Sequence, residues 1–536
     1  MGSSSTEEAK PPYPPDKIPG GSGSLDNGSA DTVTLDTDEA ILRANGHTTA
    51  MKRQFNWVAA LGLAFTITNS WVGYLSNFGQ NLIYGGPQSV LMGLLVAFAA
   101  QFTVTLGLAE IASAFPSSGG QYHFVYILAP ESSKRFLAYL IGWVSTLAWW
   151  TTTCSGTSLF AMTISGIIGD RVPSYAASQW QIYLIYVGTA VVTVLPVILA
   201  PRKVHWTVQI GLYISIGGFL VVLFTCVGMH GHTQPASFLV DIGSGKSGWN
   251  QRVAWLLGIS NAMYAFGGTD GVIHISEEMS NPSRRVPQVM GLTLLIGLCT
   301  CFPIMMSLFT FATDIDKVAS SPLPSMELIR QATGSDVAAL ALISIILLVY
   351  LTSLPSQWVT CGRLAWAFAR DNGVPFSPYF SVIDRKLELP LRTTMTALGF
   401  ACIYGLLYLA STTAFNSIVT SAVLFLNISY AAPQAILLFF GRKKRLPPRY
   451  LNLGVYGYIC NGFATVWIII LAVLVCMPPT LPVTVGAMNY TGVVLVGLSS
   501  IIVGLWFSTG RKTFQGPNIN WDELYALNAA MFRPEV

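Results

Sequence analysis

Charge is what this sequence has least of. Of 536 residues only 10% are Asp, Glu, Lys or Arg, and 52% are hydrophobic, at a mean hydropathy of +0.54. A soluble domain carries roughly 25% charged residues, so the composition is that of a polytopic membrane protein. The net charge of +4 is small and spread along the chain, which gives no reason to expect nucleic acid as a partner. The eight cysteines lie in or beside apolar runs, with no metal-ligand spacing and no evident extracellular disulfide pair. They read as buried apolar thiols, and no metal or cofactor is expected. There is no His-Glu-x-x-His, no Gly-x-Ser-x-Gly and no histidine cluster, which argues against an intramembrane enzyme. No repeated pore loop or ring of charge suggests a channel. No apolar core of a signal peptide is found near the N-terminus.

Long apolar runs are abundant instead. A bilayer span needs about 20 apolar residues, and twelve runs qualify, at roughly 55–76, 88–114, 136–166, 181–200, 206–229, 253–276, 288–312, 336–361, 392–411, 415–440, 453–477 and 488–508. The eighth run can continue as helix through Arg370. The expected fold is therefore an all-α membrane protein of 12 transmembrane helices, with a transporter domain at 51–512. Residues 1–50 are rich in Ser, Gly, Pro, Asp and Thr and should form a disordered cytoplasmic tail, and 513–536 a cytoplasmic C-terminal tail. With the N-terminus inside, the inner loops hold sixteen Lys and Arg and the outer loops five, so both termini are expected to be cytoplasmic. The one sequon on the predicted outer side, at Asn489, lies too close to the last span to be a ready glycosylation site.

Two spans are interrupted. In the sixth, Tyr264-Ala-Phe-Gly-Gly-Thr-Asp-Gly-Val-Ile-His-Ile-Ser-Glu-Glu278 places three glycines around Asp270. Each glycine costs a helix about 1 kcal/mol relative to Ala, and an intramembrane carboxylate needs partners or water. Irregular backbone at that depth belongs beside a cavity or inside protein. The first span has its polar interruption at Thr66 to Ser70, and Asn69 and Thr269 stand one five-span unit apart. Interrupted segments at corresponding positions in two halves point to the site of an inverted-repeat transporter. The plainer alternatives are a glycine-rich helix contact in span 6 and packing hydroxyls in span 1.

Three loop motifs accompany these breaks: Leu108-Ala-Glu-Ile-Ala-Ser-Ala-Phe-Pro-Ser-Ser-Gly-Gly-Gln-Tyr122, Glu277-Glu-Met-Ser-Asn-Pro-Ser-Arg-Arg-Val-Pro287 and Arg363-Leu-Ala-Trp-Ala-Phe-Ala-Arg-Asp-Asn-Gly-Val-Pro375. In order and type they resemble the amino acid–polyamine–organocation superfamily, in its fungal amino acid/choline branch, over about residues 50–515. Thr68–Gly73, Tyr408–Thr420 and Pro478–Tyr490 resemble choline permeases more than γ-aminobutyrate permeases. The resemblance implies a five-plus-five inverted repeat with broken helices 1 and 6, plus two further helices. It also implies alternating access, a plasma-membrane location, and a co-transported proton or sodium ion.

On that basis the expected cargo is a small organic cation, choline first, with γ-aminobutyrate or another amino acid or polyamine as the alternative. A quaternary ammonium wants aromatic faces and a counter-charge. Trp71, Trp149, Trp150, Tyr264 and Phe266 are candidates for the faces and Asp270 for the charge, with Gly267 and Gly268 at the break. A carboxylate wants free N–H groups at a half-helix N-terminus. The first break has no glycine between Leu63 and Val72, although Thr68, Asn69 and Ser70 can donate. For gating or coupling the candidates are Glu110, Glu277 and Glu278, expected to pair with Arg363 or Arg370. His274, four residues beyond Asp270, is the candidate for a proton relay with it.

Overall fold

The computed structural model describes residues 37–532 apart from 49, 173, 242, 244, 411 and 485–487, and leaves out the side chains of 410–420. The expected disorder of 1–36 therefore lies outside the described residues, as do parts of the Tyr408–Thr420 and Pro478–Tyr490 stretches. Among the described residues every regular element is a helix.

The first interrupted segment forms α1 (Trp57–Thr68) and α2 (Ser70–Asn77), with Asn56 capping α1 by accepting from Ala59 N–H at 2.8 Å. There follow α3 (Gly79–Ala114), α4 (Gln121–Leu128), α5 (Lys134–Arg171), α6 (Gln179–Leu199) and α7 (Val204–Met229). After them come α8 (Gln251–Ala262), α9 (Pro282–Thr310), α10 (Asp336–Arg370), α11 (Leu391–Gly405) and α12 (Thr412–Phe440). The chain ends with α13 (Tyr456–Cys476), α14 (Thr491–Leu505) and α15 (Trp521–Phe532). The eighth run does continue unbroken to Arg370.

Among the described residues, nine helices are long and apolar enough to cross a bilayer. Three of the twelve expected spans fall short, each for a visible reason. The long α5 is diluted at its centre by Thr151, Thr152, Thr153, Ser155, Thr157 and Ser158. The sixth segment is broken after Phe266, and α11 has only 15 residues.

The core forms where helices carry small residues into contact. A side chain at Gly62 of α1 would begin 2.7 Å from the Val208 carbonyl of α7, so the two backbones touch there. α8 and α9 pack along α3, α10 along α5 and α7, and α12 along α5 and α13. Large apolar side chains such as Leu184, Tyr213, Phe224 and Ile469 point outward from α6, α7 and α13, the surface a lipid-facing helix presents.

Within the described residues the N-terminal tail departs from expectation. Residues 37–44 are helical, and Ile41, Ala44, Asn45 and His47 are buried. Asp38 accepts from Asn281 N–H at 2.8 Å, His47 meets Asp371 at 3.1 Å, and Ala44 O accepts from Asn520 N–H at 2.8 Å. Composition alone hid this because the order comes from docking a few apolar and polar groups onto the rest of the molecule. At the other end, Asn489 Nδ2 donates to the carbonyls of Val475 and Met477, at 2.7 and 2.8 Å.

Candidate functional site

The two breaks are built differently. At the first, a single residue leaves helical geometry: Asn69, at φ 32°, ψ 53°. Asn is among the few non-glycine residues that visit this left-handed region readily, so the glycine missing from this stretch is not needed. Its side chain is fixed on both sides, donating to Ser353 Oγ at 3.0 Å and accepting from Ser215 Oγ at 2.9 Å. The amides of Val72 and Gly73 bond to Asn69 O, which leaves the first N–H groups of α2, at Ser70 and Trp71, without a helical partner.

At the second break the chain tightens into a 3₁₀ turn, Met263–Phe266, passes through extended Gly267 and left-handed Gly268 (φ 80°), and re-enters 3₁₀ geometry at Thr269–Glu278. A side chain at Gly268 would begin 2.7 Å from Ile67 Cγ2. Both the dihedral and the space therefore demand glycine there.

Between the breaks lies a cavity of about 40 Å³, room for a few waters. The first break contributes Thr66, Ile67, Thr68, Asn69 and Gly73; the second contributes Tyr264 and Gly267. Thr152 and Gly156 of α5, Tyr350, Ser353, Leu354 and Gln357 of α10, and Ala422, Val423 and Leu426 of α12 complete it. No lining side chain is charged. The Tyr264 hydroxyl is held by Ser155 Oγ at 2.9 Å, and Gln357 Oε1 is buried without a protein partner.

Of the side chains expected at the site, Thr68, Asn69, Tyr264 and Gly267 face the cavity. The others lie outside its lining. Trp71 turns toward α7, where Nε1 donates to Ser215 Oγ at 3.0 Å and the ring meets Phe219 edge-on. Ser70 is buried against Gly297 of α9. Phe266 meets Phe98 of α3 edge-on. Trp150 lies against Phe400 of α11, since adjacent residues cannot share a helix face. Gly268 backs onto Trp149.

Trp149 and Asp270 instead form a buried polar cluster beside the cavity. Asp270 Oδ1 accepts from the Tyr430 hydroxyl at 2.5 Å. Oδ2 accepts from Gln121 Nε2 at 2.6 Å and Trp149 Nε1 at 3.1 Å, and faces His274 Nε2 at 3.2 Å. His274 does reach Asp270, as its spacing suggested.

Beyond this cluster the basic end of the molecule is closed by ion pairs. Glu278 pairs bidentately with Arg363, both of them buried. Glu277 accepts from both Arg370 Nη atoms, at 2.9 and 3.0 Å, and from Ser118 N–H at 3.1 Å. Glu110 departs from expectation. It pairs with Arg442 and Arg449 rather than with Arg363 or Arg370, because the end of α3 faces the segment that follows α12. At the opposite end a vestibule of about 400 Å³ opens among Ser76, Asn77, Gln80, Met162 and Asn261.

Sequence reasoning missed the α10 wall. Its signal was present: Tyr350, Ser353 and Gln357 recur at helical spacing on one face of an apolar run. Gln121 stood in a quoted motif without a role, and nothing local marked Tyr430 as a partner of Asp270.

A family model described as amino acid permease matches residues 55–498. The chain belongs to the amino acid permease family. It is a multi-pass membrane transporter, not an enzyme. Among curated proteins it is similar to a choline transporter of Saccharomyces cerevisiae, 29% identical over 476 residues that cover 87% of this chain and 83% of the relative. It is also similar to a swainsonine transporter of Arthroderma benhamiae, at 26% over 86% of this chain and 92% of the relative. A 7-keto 8-aminopelargonic acid transporter of Saccharomyces cerevisiae is 26% identical over 85% of this chain and 92% of the relative.

Proposed function

We propose that this chain is a secondary active transporter that imports a small organic cation, choline first, by alternating access across the plasma membrane. The observation that carries this reading is the cavity at the two breaks. Its wall holds the Tyr264 and Tyr350 rings, hydroxyl and amide oxygens, and no Lys or Arg. Tyrosine faces attract a quaternary ammonium, and Gln357 Oε1 is a buried acceptor without a partner, suited to a cargo hydroxyl. The choline transporter among the relatives supports the same choice.

In this reading twelve spans form a five-plus-five inverted repeat with two further helices, and the Arg-rich end is cytoplasmic, as are both termini. Glu278–Arg363 and Glu277–Arg370 then form the inner gate, closed here, while cargo enters through the vestibule at the outer end. The cavity is small for choline and widens as the spans move. One observation favours the alternative of an amino acid cargo: the free N–H groups of Ser70 and Trp71 at the start of α2 suit a carboxylate.

Uptake of radiolabelled choline and γ-aminobutyrate, each with the other in excess, in cells lacking both endogenous systems, separates the two. Saturable choline uptake indifferent to γ-aminobutyrate is expected. Uptake of γ-aminobutyrate alone would transfer the site to a carboxylate cargo.

A further inference from the structure

We propose that Asp270 and His274 together hold one exchangeable proton, and that this proton and a cation in the adjacent cavity displace one another. The proposal rests on the organic-cation reading above.

The donors and acceptors around the pair define its proton count. Ser118 O only accepts, so His274 Nδ1, 3.0 Å away, carries a hydrogen. His274 Nε2 faces Asp270 Oδ2 at 3.2 Å, and an ionised carboxylate also only accepts. Either Nε2 bears a hydrogen, making an imidazolium beside a carboxylate, or Asp270 bears it and donates to a neutral ring. Both states contain the same single proton and are neutral overall, so the proton belongs to the pair. Without it, two lone pairs face each other, and a fully buried carboxylate is left uncompensated.

Among the described residues, no other buried carboxylate nearby is in that position. Glu278, Glu277 and Glu110 are each matched by a guanidinium, from Arg363, Arg370, and Arg442 with Arg449. Asp270 has Tyr430, Gln121 and Trp149 besides the histidine, none of them a permanent cation. Of the other titratable groups on the packed elements, Tyr350 of α10 lines the cavity with its hydroxyl unpartnered, and several are engaged elsewhere. Tyr122 bonds to Asp371 and His123 to Asn45 O. The Cys361 thiol bonds to Trp149 O, Arg285 to Ser280, and Arg284 lies over Tyr450. α1 carries no titratable side chain.

The pair also lies next to the cavity. Gly267, on the cavity wall, is three residues from Asp270, and Trp149 lies one turn from the lining Thr152 on α5. The Trp149 indole lies against Gly268 and Gly271 and donates to Asp270. A cation in the cavity supplies the charge that the pair lacks once its proton has left. By linkage, the proton must then weaken cation binding by the same factor that the cation weakens proton binding. A zwitterion, with no net charge, gains nothing from the exchange.

The test is equilibrium binding of radiolabelled choline to the purified full chain from pH 5 to 8.5. Wild-type affinity should rise with pH, by up to about tenfold per unit along the flank, as one linked proton requires. Choline binding should also release up to one proton into weak buffer. The double variant Asp270→Asn, His274→Gln keeps amide hydrogen-bonding groups at both positions but holds no titratable group, and should lose both the slope and the release. A wild-type slope in the double variant, or no proton release from wild type, would overturn the proposal. Binding of γ-aminobutyrate and not choline at every pH would instead overturn the cation reading. The pair is then judged without cargo: the melting-temperature difference between wild type and the double variant must still change with pH, and a flat difference overturns the proton site too.

Discussion

Replacing Arg363 by Gln tests the proposed inner gate where its energy is most concentrated. Arg363 is 3% exposed and Glu278 is fully buried. Once Arg363 is gone, Glu278 retains Gln54 Nε2 at 2.8 Å but no positive charge. Breaking a buried ion pair by removing one partner costs about 3–5 kcal/mol. Glu278 escapes that cost by reaching water, and it reaches water when the basic end opens, so the loss falls on the closed form. Even ~3 kcal/mol changes the closed-to-open ratio by more than about 100-fold. The Phe55 amide, which donates to Glu278 O at 3.1 Å, reports this directly. Its hydrogen–deuterium exchange in purified protein should accelerate by roughly 100-fold, the factor by which opening becomes easier. Amides of α13, far from the gate, should keep their rates. The charge-swapped double variant Glu278→Arg, Arg363→Glu should recover a large part of the protection, since each single change leaves an unpaired buried charge and the double does not. Unchanged Phe55 exchange in a folded Arg363→Gln protein would refute the gate.

Four further outcomes follow from the site and the tail. Asn69→Ala should melt lower than Asn69→Gly, because both lose the serine contacts but only Ala pays about 1–2 kcal/mol for the left-handed backbone; equal melting temperatures would count against strain at that residue. Trp71→Ala should destabilise by about 3–5 kcal/mol and lower the capacity for choline and for a zwitterion alike, with KM unchanged. Tyr264→Leu should raise the choline KM roughly 5- to 30-fold through a lost cation–π contact of ~1–2 kcal/mol, and a KM effect at Trp71 but not Tyr264 would reverse the two roles. Burial pushes the Asp371 carboxyl up, but His47 at 3.1 Å and Arg370 outweigh it and hold the group below its ordinary value. A depressed folded-state value adds stability above about pH 4 that is lost as pH falls through the lowered value. Asp371→Asn should therefore melt below wild type at pH 6, with the difference shrinking toward pH 3 by fluorimetry; a pH-independent difference would exclude the charge as its cause.

Composition and periodicity determined the class of this protein. Scarce charge and long apolar runs require helices in lipid, because backbone groups there must bond within their own segment. Local chemistry also marked both breaks: Gly267 and Gly268 cannot continue a helix with the chain packed around them, and Asn69 tolerates the geometry that ends α1. The i,i+4 spacing of Asp270 and His274 and the carboxylates of the loop motifs were legible for the same reason: their meaning lies within a few residues of themselves.

Which way a side chain points was decided by the packing of distant segments. Trp71 was placed in a cage by its neighbours in sequence, yet the start of α2 turns it onto Ser215, 144 residues away. Glu110 found Arg449 across 339 residues rather than the arginines of α10. Tyr430 reaches Asp270 across 160 residues, and the helix at 37–44 is ordered by docking onto elements far along the chain. A sequence specifies what each segment must bury and where it must break. The tertiary structure specifies which buried groups meet, because a partner hundreds of residues away leaves no periodicity behind.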